Sequence, residues 1–221
     1  MNSRLKALML TAAVALGVAT SANAATVSYT NAEDTPKIQL TVDDAASPGA
    51  FRFTLTTAFG EADYLGLGFN FAGISISQSD ISFVSASNKS GDAISPALKL
   101  YGNNTESQTV CGDNPGDACN FNGDGSRSVF DYIIRIGEQG SSPAKYVASV
   151  VFDIAATGSL SQFSDFAVRA QSTSNPEGSI KTDLDPNNPA PILLPAGLPL
   201  LGSGLVAIGV LRRRRAAKLA A

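Results

Sequence analysis

The chain has no histidine, no tryptophan and only two cysteines among its 221 residues. Without histidine it lacks the commonest general base, every Ser-His-Asp or Cys-His arrangement, and the usual ligands of zinc and iron. Carboxylate-only chemistry of the glycosidase kind needs just two acids at a suitable separation. Glu61 with Asp63, or Asp131 with Asp153, could be nominated. Acids on strand faces ordinarily point to water, so the chain is read as a non-enzyme. The missing tryptophan removes a common sugar-stacking platform, leaving Tyr64, Tyr101, Tyr132 and Tyr146, which suit core edges equally well. Basic runs are also missing between residues 25 and 190. Phosphate contacts need clustered Lys and Arg, so nucleic acid is excluded as an expected partner.

Two apolar stretches stand at the ends. Arg4 and Lys6 precede an uncharged segment from Ala7 to Ala19, and Ala22-Asn23-Ala24 gives the small-x-small pattern of signal-peptidase cleavage. Residues 1–24 are therefore expected to be a signal peptide cut after Ala24. At the other end Ile192 to Leu211 carries no charge over 20 residues. At 1.5 Å per residue that length matches a hydrocarbon core of about 30 Å, so a single transmembrane helix is expected. Pro195 and Pro199 lack the donor a helix interior needs, which places the helix start near Pro199 and leaves Leu194-Pro195-Ala196-Gly197 extended. Arg212, Arg213, Arg214 and Arg215 then hold the tail in the cytoplasm by the positive-inside rule, with the body in the periplasm.

The run Leu194-Pro195-Ala196-Gly197-Leu198-Pro199, a glycine-broken apolar helix and the terminal arginines resemble the VPLPA-type sorting signal, a relative of the PEP-CTERM signals of Gram-negative bacteria. Leu193 stands where that motif has its first proline. The resemblance covers about the last 30 residues. It implies recognition by an exosortase-type transpeptidase, cutting near the motif, and transfer from the inner membrane to the cell surface or extracellular polymer. A plain single-pass anchor is the competing reading of the same segment.

Two of the 16 basic residues lie in the leader and five in the tail, leaving nine against all 19 acidic ones. A body near −10 stays soluble and resists self-association. Its pattern has period two: Phe51, Phe53 and Leu55; Leu65, Leu67, Phe69 and Phe71 against Gly66, Gly68 and Asn70; and alternate residues from Tyr146 to Ile154. These predict half-buried strands. Further strands are expected at 26–30, 37–42, 74–76, 81–84, 98–101, 129–136 and 166–170, separated by turns such as Ser47-Pro48-Gly49 and Asn88-Lys89-Ser90-Gly91. With no long amphipathic helix and no repeat, the fold class is all-β, an antiparallel sandwich of jelly-roll or immunoglobulin-like kind over residues 25–185. A closed barrel fits the same pattern. Residues 172–178 read as a loop. Four prolines between Asp183 and Pro195 make the expected linker, residues 186–191, semi-rigid, before the sorting segment 192–221.

In an exported chain, Cys111 and Cys119 most simply form a disulfide, which stabilises by about 2.5 kcal/mol in the chain-entropy model. Just beyond, Asn120, Asn122, Asp124, Ser128 and Asp131, with Gly125 at position six, follow the oxygen-ligand spacing of a calcium loop. Asn120 replaces the usual leading Asp, Arg127 sits where a small apolar residue packs, and a strand follows instead of a helix. The same residues also read as a polar hairpin loop turned by Asn-Gly and Asp-Gly. Two functions are therefore carried forward: a structural protein of the cell surface, extracellular matrix or biofilm, and a calcium-assisted module that binds carbohydrate, such as extracellular polysaccharide.

Overall fold

The computed structural model describes residues 25–112, 119–122, 129–138 and 142–186. The expected leader with Ala22 and Ala24, the sorting motif, the apolar segment and the basic tail lie outside the described residues. Within them no helix is long and apolar enough to cross a membrane.

The described residues form strands β1 (Thr26–Thr30), β2 (Lys37–Ser47), β3 (Ala50–Phe59), β4 (Asp63–Phe71), β5 (Ile81–Ser87), β6 (Ala93–Ile94), β7 (Lys99–Tyr101), β8 (Tyr132–Arg135), β9 (Ser149–Ile154), β10 (Phe163–Gln171), β11 (Ser179–Asp183) and β12 (Asp185–Pro186). They make two antiparallel sheets, ordered β12-β1-β2-β3-β9-β5-β6 and β11-β10-β4-β8-β7. The chain changes sheet between β3 and β4, β4 and β5, β6 and β7, β8 and β9, β9 and β10, and β11 and β12. Each sheet is thus built from both halves of the sequence.

Alternation creates the inner faces. On the first sheet Leu40 lies opposite Leu55 and Val42 opposite Phe53, and Phe53 opposite Phe152 on the next strand. The second sheet contributes Leu67, Phe69, Ile134, Val168, Phe163 and Phe166. Phe53 joins the two faces, stacked 5.2 Å from Phe152 and edge-on to Phe163 at 5.3 Å, with Phe69 at 6.0 Å. Each such ring contributes roughly 1.5–3 kcal/mol by burial, which makes this aromatic layer the main adhesive of the sandwich.

Several elements differ from expectation. Ile74 to Ile76 is a loop, in which buried Ile76 donates its N–H to the Tyr132 hydroxyl at 2.9 Å. Tyr146 to Ala148 precedes β9 because the 3-10 turn Pro143–Lys145 ends with Tyr146 N–H bonded to the Pro143 carbonyl. The strand expected over 129–136 is shorter, with Phe130 held in an isolated bridge to Gln108. Strands β6, β11 and β12 were not anticipated from the sequence. Pro186, expected to open the linker, closes β12 instead, where it pairs with Tyr29 while Asp185 pairs with Thr30.

Candidate functional site

The strand β4 was expected to be half-buried, yet all but one of its nine residues are buried. Its outward positions include Gly66 and Gly68, and another segment of the chain fills the space their missing side chains leave. A Cβ placed on Gly66 would lie 2.5 Å from the Cys119 Cβ, and one on Gly68 would lie 2.7 Å from the Phe130 ring. The glycines therefore form a trough across the outer face of the five-stranded sheet. Cys111, Cys119, Phe121, Phe130, Ile133 and Ala167 pack in it as a second, smaller core, with Tyr101 at its margin.

The expected disulfide is present. Cys111 and Cys119 are bonded with their Cα atoms 5.3 Å apart, and both are fully buried. Phe121 meets Phe130 edge-on at 5.1 Å. Its N–H bonds to the Thr109 carbonyl at 2.9 Å, while Gln108 and Phe130 exchange two backbone bonds at 2.6 and 2.9 Å. Cys111, Cys119, Phe121 and Phe130 are thus held against the sheet by ring packing and backbone bonds, and the disulfide joins the first two to each other.

Of the calcium-spaced residues, Asp124 and Ser128 lie outside the described residues. The Asn120 amide oxygen accepts the Asn122 N–H at 2.7 Å, a local turn. Asp131 sits at the other end of the segment. Its carboxylate accepts the Phe71 N–H at 3.2 Å and its own N–H donates to the Asn70 side chain at 2.8 Å, so it ties β8 to the end of β4. Among the described residues no group of three His, Cys, Asp or Glu side chains is placed to hold a metal.

The carboxylates nominated for catalysis are each engaged by other groups. Glu61 is paired with Lys89 at 2.5 Å on the surface. Asp63 is buried, accepting the Val147 N–H at 2.7 Å and the Gln171 amide at 2.8 Å. Burial pushes its carboxyl above the usual range, and those two bonds pull it only partly back. Asp153 takes a two-pronged contact from Arg52 at 2.8 and 2.9 Å, and the hydrogen bond from that guanidinium holds it below the usual range. Tyr64 and Tyr132, considered as sugar platforms, are fully buried core residues. Tyr64 donates or accepts at 2.6 Å with Thr57, and burial pushes its hydroxyl well above the ordinary tyrosine value.

The fold also brings together residues the linear sequence keeps apart. Across the outer face of the five-stranded sheet, Lys99 lies opposite Arg135, Arg135 opposite Gly66, Gly66 opposite Arg169, and Arg169 opposite Lys181. Four of the nine basic residues of the body share one row, spread over roughly 19 Å at the usual interstrand spacing of about 4.8 Å. Lys181 donates to the Asn122 carbonyl, and Arg169 to the carbonyls of Ala170 and Ile180, so that end of the row is occupied by the clamped segment and β11. The other end opens into a cleft of about 510 Å³ lined by Lys99, Arg135 and Lys145 with Pro96, Ile136 and Val147. The sequence signal for this row is weak, because its members stand 36, 34 and 12 residues apart on separate strands and only the register aligns them.

The fold and this face define an antiparallel two-sheet protein with a disulfide-clamped segment laid across one sheet. No family model, no curated protein and no solved structure matches the chain.

Proposed function

We propose that the chain is an exported structural protein of the cell surface or extracellular matrix, delivered by an exosortase-type enzyme that processes its C-terminal segment. The observation that carries this reading is the order motif, apolar stretch and arginine block at 194–215, set behind a secretory leader. The body suits the role. It is acidic and holds a buried disulfide compatible with an oxidising compartment. Its ladder starts at the first residue left by a cut after Ala24: Ala25 donates to the Asp44 carboxylate at 2.8 Å and accepts from Asp44 N–H at 3.2 Å. Such a cut turns that N–H into an ammonium facing the same carboxylate, which strengthens the contact. Repeated crossing between sheets supports placing the body with the jelly-roll or immunoglobulin-like sandwiches.

The test is Pro195→Ala in the exporting cell. Hydrophobicity and arginines are unchanged, so insertion and orientation stay as in wild type. Uncut precursor should accumulate in the inner membrane with its body outside, while wild type appears shorter at the surface or in the medium. Normal maturation of the variant, with deletion of Leu200 to Leu211 merely freeing an uncut protein, would make the segment an ordinary anchor.

A further inference from the structure

We infer that the cleft between β6, β7 and β8 is a binding site for a carboxylate-bearing polysaccharide, a uronic-acid polymer being the chemical type. The inference rests on the extracellular destination proposed above and adds the ligand class. Lys99 and Arg135 are direct cross-strand partners, an arrangement of like charges that destabilises a sheet unless an anion lies between them. Lys145 reaches the same space from the 3-10 turn Pro143–Lys145. None of the three is ion-paired among the described residues. The Arg135 Nε donates to the Gly137 carbonyl at 3.3 Å, which fixes the guanidinium plane, and Lys99 rests 5.0 Å over the Tyr101 ring. Among the described residues one acid, Glu138, lines the cleft against these three cations. A third of the body's cations therefore gather at one concavity of a protein whose net charge is otherwise strongly negative.

The cleft also has an apolar floor. Ile136 and Val147 are buried beneath it and Pro96 forms a rim. A sugar-acid residue matches both halves, its C–H face resting on the floor and its carboxylate accepting from the guanidinium and ammonium groups. An acidic peptide matches less well. Peptide docking at a sheet edge relies on main-chain ladder bonds, and the edges here are the two-residue β6 and the three-residue β7.

The experiment titrates the protein as the cell exports it with oligogalacturonate, with neutral oligosaccharide of equal length, and with polyglutamate, at low and at moderate salt. Saturable binding of the uronate alone is expected, weakening as salt rises. Arg135→Gln and Lys145→Gln should each lower affinity about tenfold, the size expected for one charge-assisted contact worth roughly 1.4 kcal/mol. Lys89→Gln, outside the cleft, should bind as wild type. Lys145 is exposed, so its variant keeps the test valid should Arg135→Gln disturb the sheet. No binding, equal binding of neutral sugar or of polyglutamate, or unchanged affinity in both cleft variants overturns the inference. Loss of binding with the tail still processed at its motif overturns the cleft alone. Binding by a chain whose Pro195→Ala variant matures normally overturns the sorting reading alone.

Discussion

Replacing Gly68 by alanine adds one methyl group to the trough, and the structure fixes what that methyl meets. Its carbon would stand 2.7 to 2.8 Å from three atoms of the Phe130 ring. Carbon atoms rest at roughly 3.5–4.0 Å, so the ring must retreat by about 1 Å. It has nowhere easy to go. Phe130 is buried, wedged against Phe121, and its backbone is bonded on both sides to Gln108. Overpacking of this kind costs about 1–3 kcal/mol. Against it stands a gain of about 0.4–1 kcal/mol, because alanine has less freedom to lose on folding than glycine. The clash wins, leaving a net destabilisation of about 1–2 kcal/mol and a fall of roughly 2–8 °C in Tm for a body of this size. A double-mutant cycle with Phe130→Ala isolates the contact. Once the ring is gone the new methyl partly fills the void, so the double variant should be no less stable than Phe130→Ala alone, with a coupling of at least about 1 kcal/mol. Urea unfolding of the four proteins measures it. An additive cycle, or a Gly68→Ala protein as stable as wild type, would refute the trough as the reason for the glycine.

Two further outcomes concern pH. Asp63 has a folded pKa above its unfolded one, so the native state holds the proton more tightly; its own contribution to stability is greatest at acid pH and falls as pH rises from the ordinary carboxylate value through the raised one. Asp63→Asn should lack that fall, and parallel urea-midpoint curves for the two proteins from pH 3 to 7 would contradict it. Asp153 runs the other way: its folded pKa is depressed below 3.8, so the Arg52 contact stabilises above that value and is lost as pH falls through the lower one. Asp153→Asn should cost about 1 kcal/mol at pH 7, a modest figure because the Arg52 side chain is 31% exposed, and less at pH 3, below the ordinary carboxylate value. An equal cost at both pH values would sink this assignment.

Much of the sandwich was legible because its inner strands obey a strict alternation. Phe51, Phe53 and Leu55, or Val150, Phe152 and Ile154, could face only one way. β11 was hidden because only Ile180 and Thr182 turn inward, amid polar residues that read as loop. Ile74 to Ile76 misled in the opposite sense, since a single buried isoleucine plugging a loop looks like a strand when seen in sequence alone. The Gly66 and Gly68 pair was visible as a pattern, but its meaning needed Cys119 and Phe130, more than 50 residues away, to be placed over it. The disulfide followed from compartment and spacing. The basic row did not, because charge clustering across a sheet depends on register, which local sequence does not encode.

The pairing of β12 with β1 has a mechanical consequence. Any tension carried by the chain beyond Pro186 enters the body at a two-residue ladder on the sheet's outermost edge. A ladder that short opens pair by pair at low force, and Leu184, buried and bonded to the Phe166 carbonyl at 2.8 Å, takes the load next. The last strand thus acts as a give-way coupling.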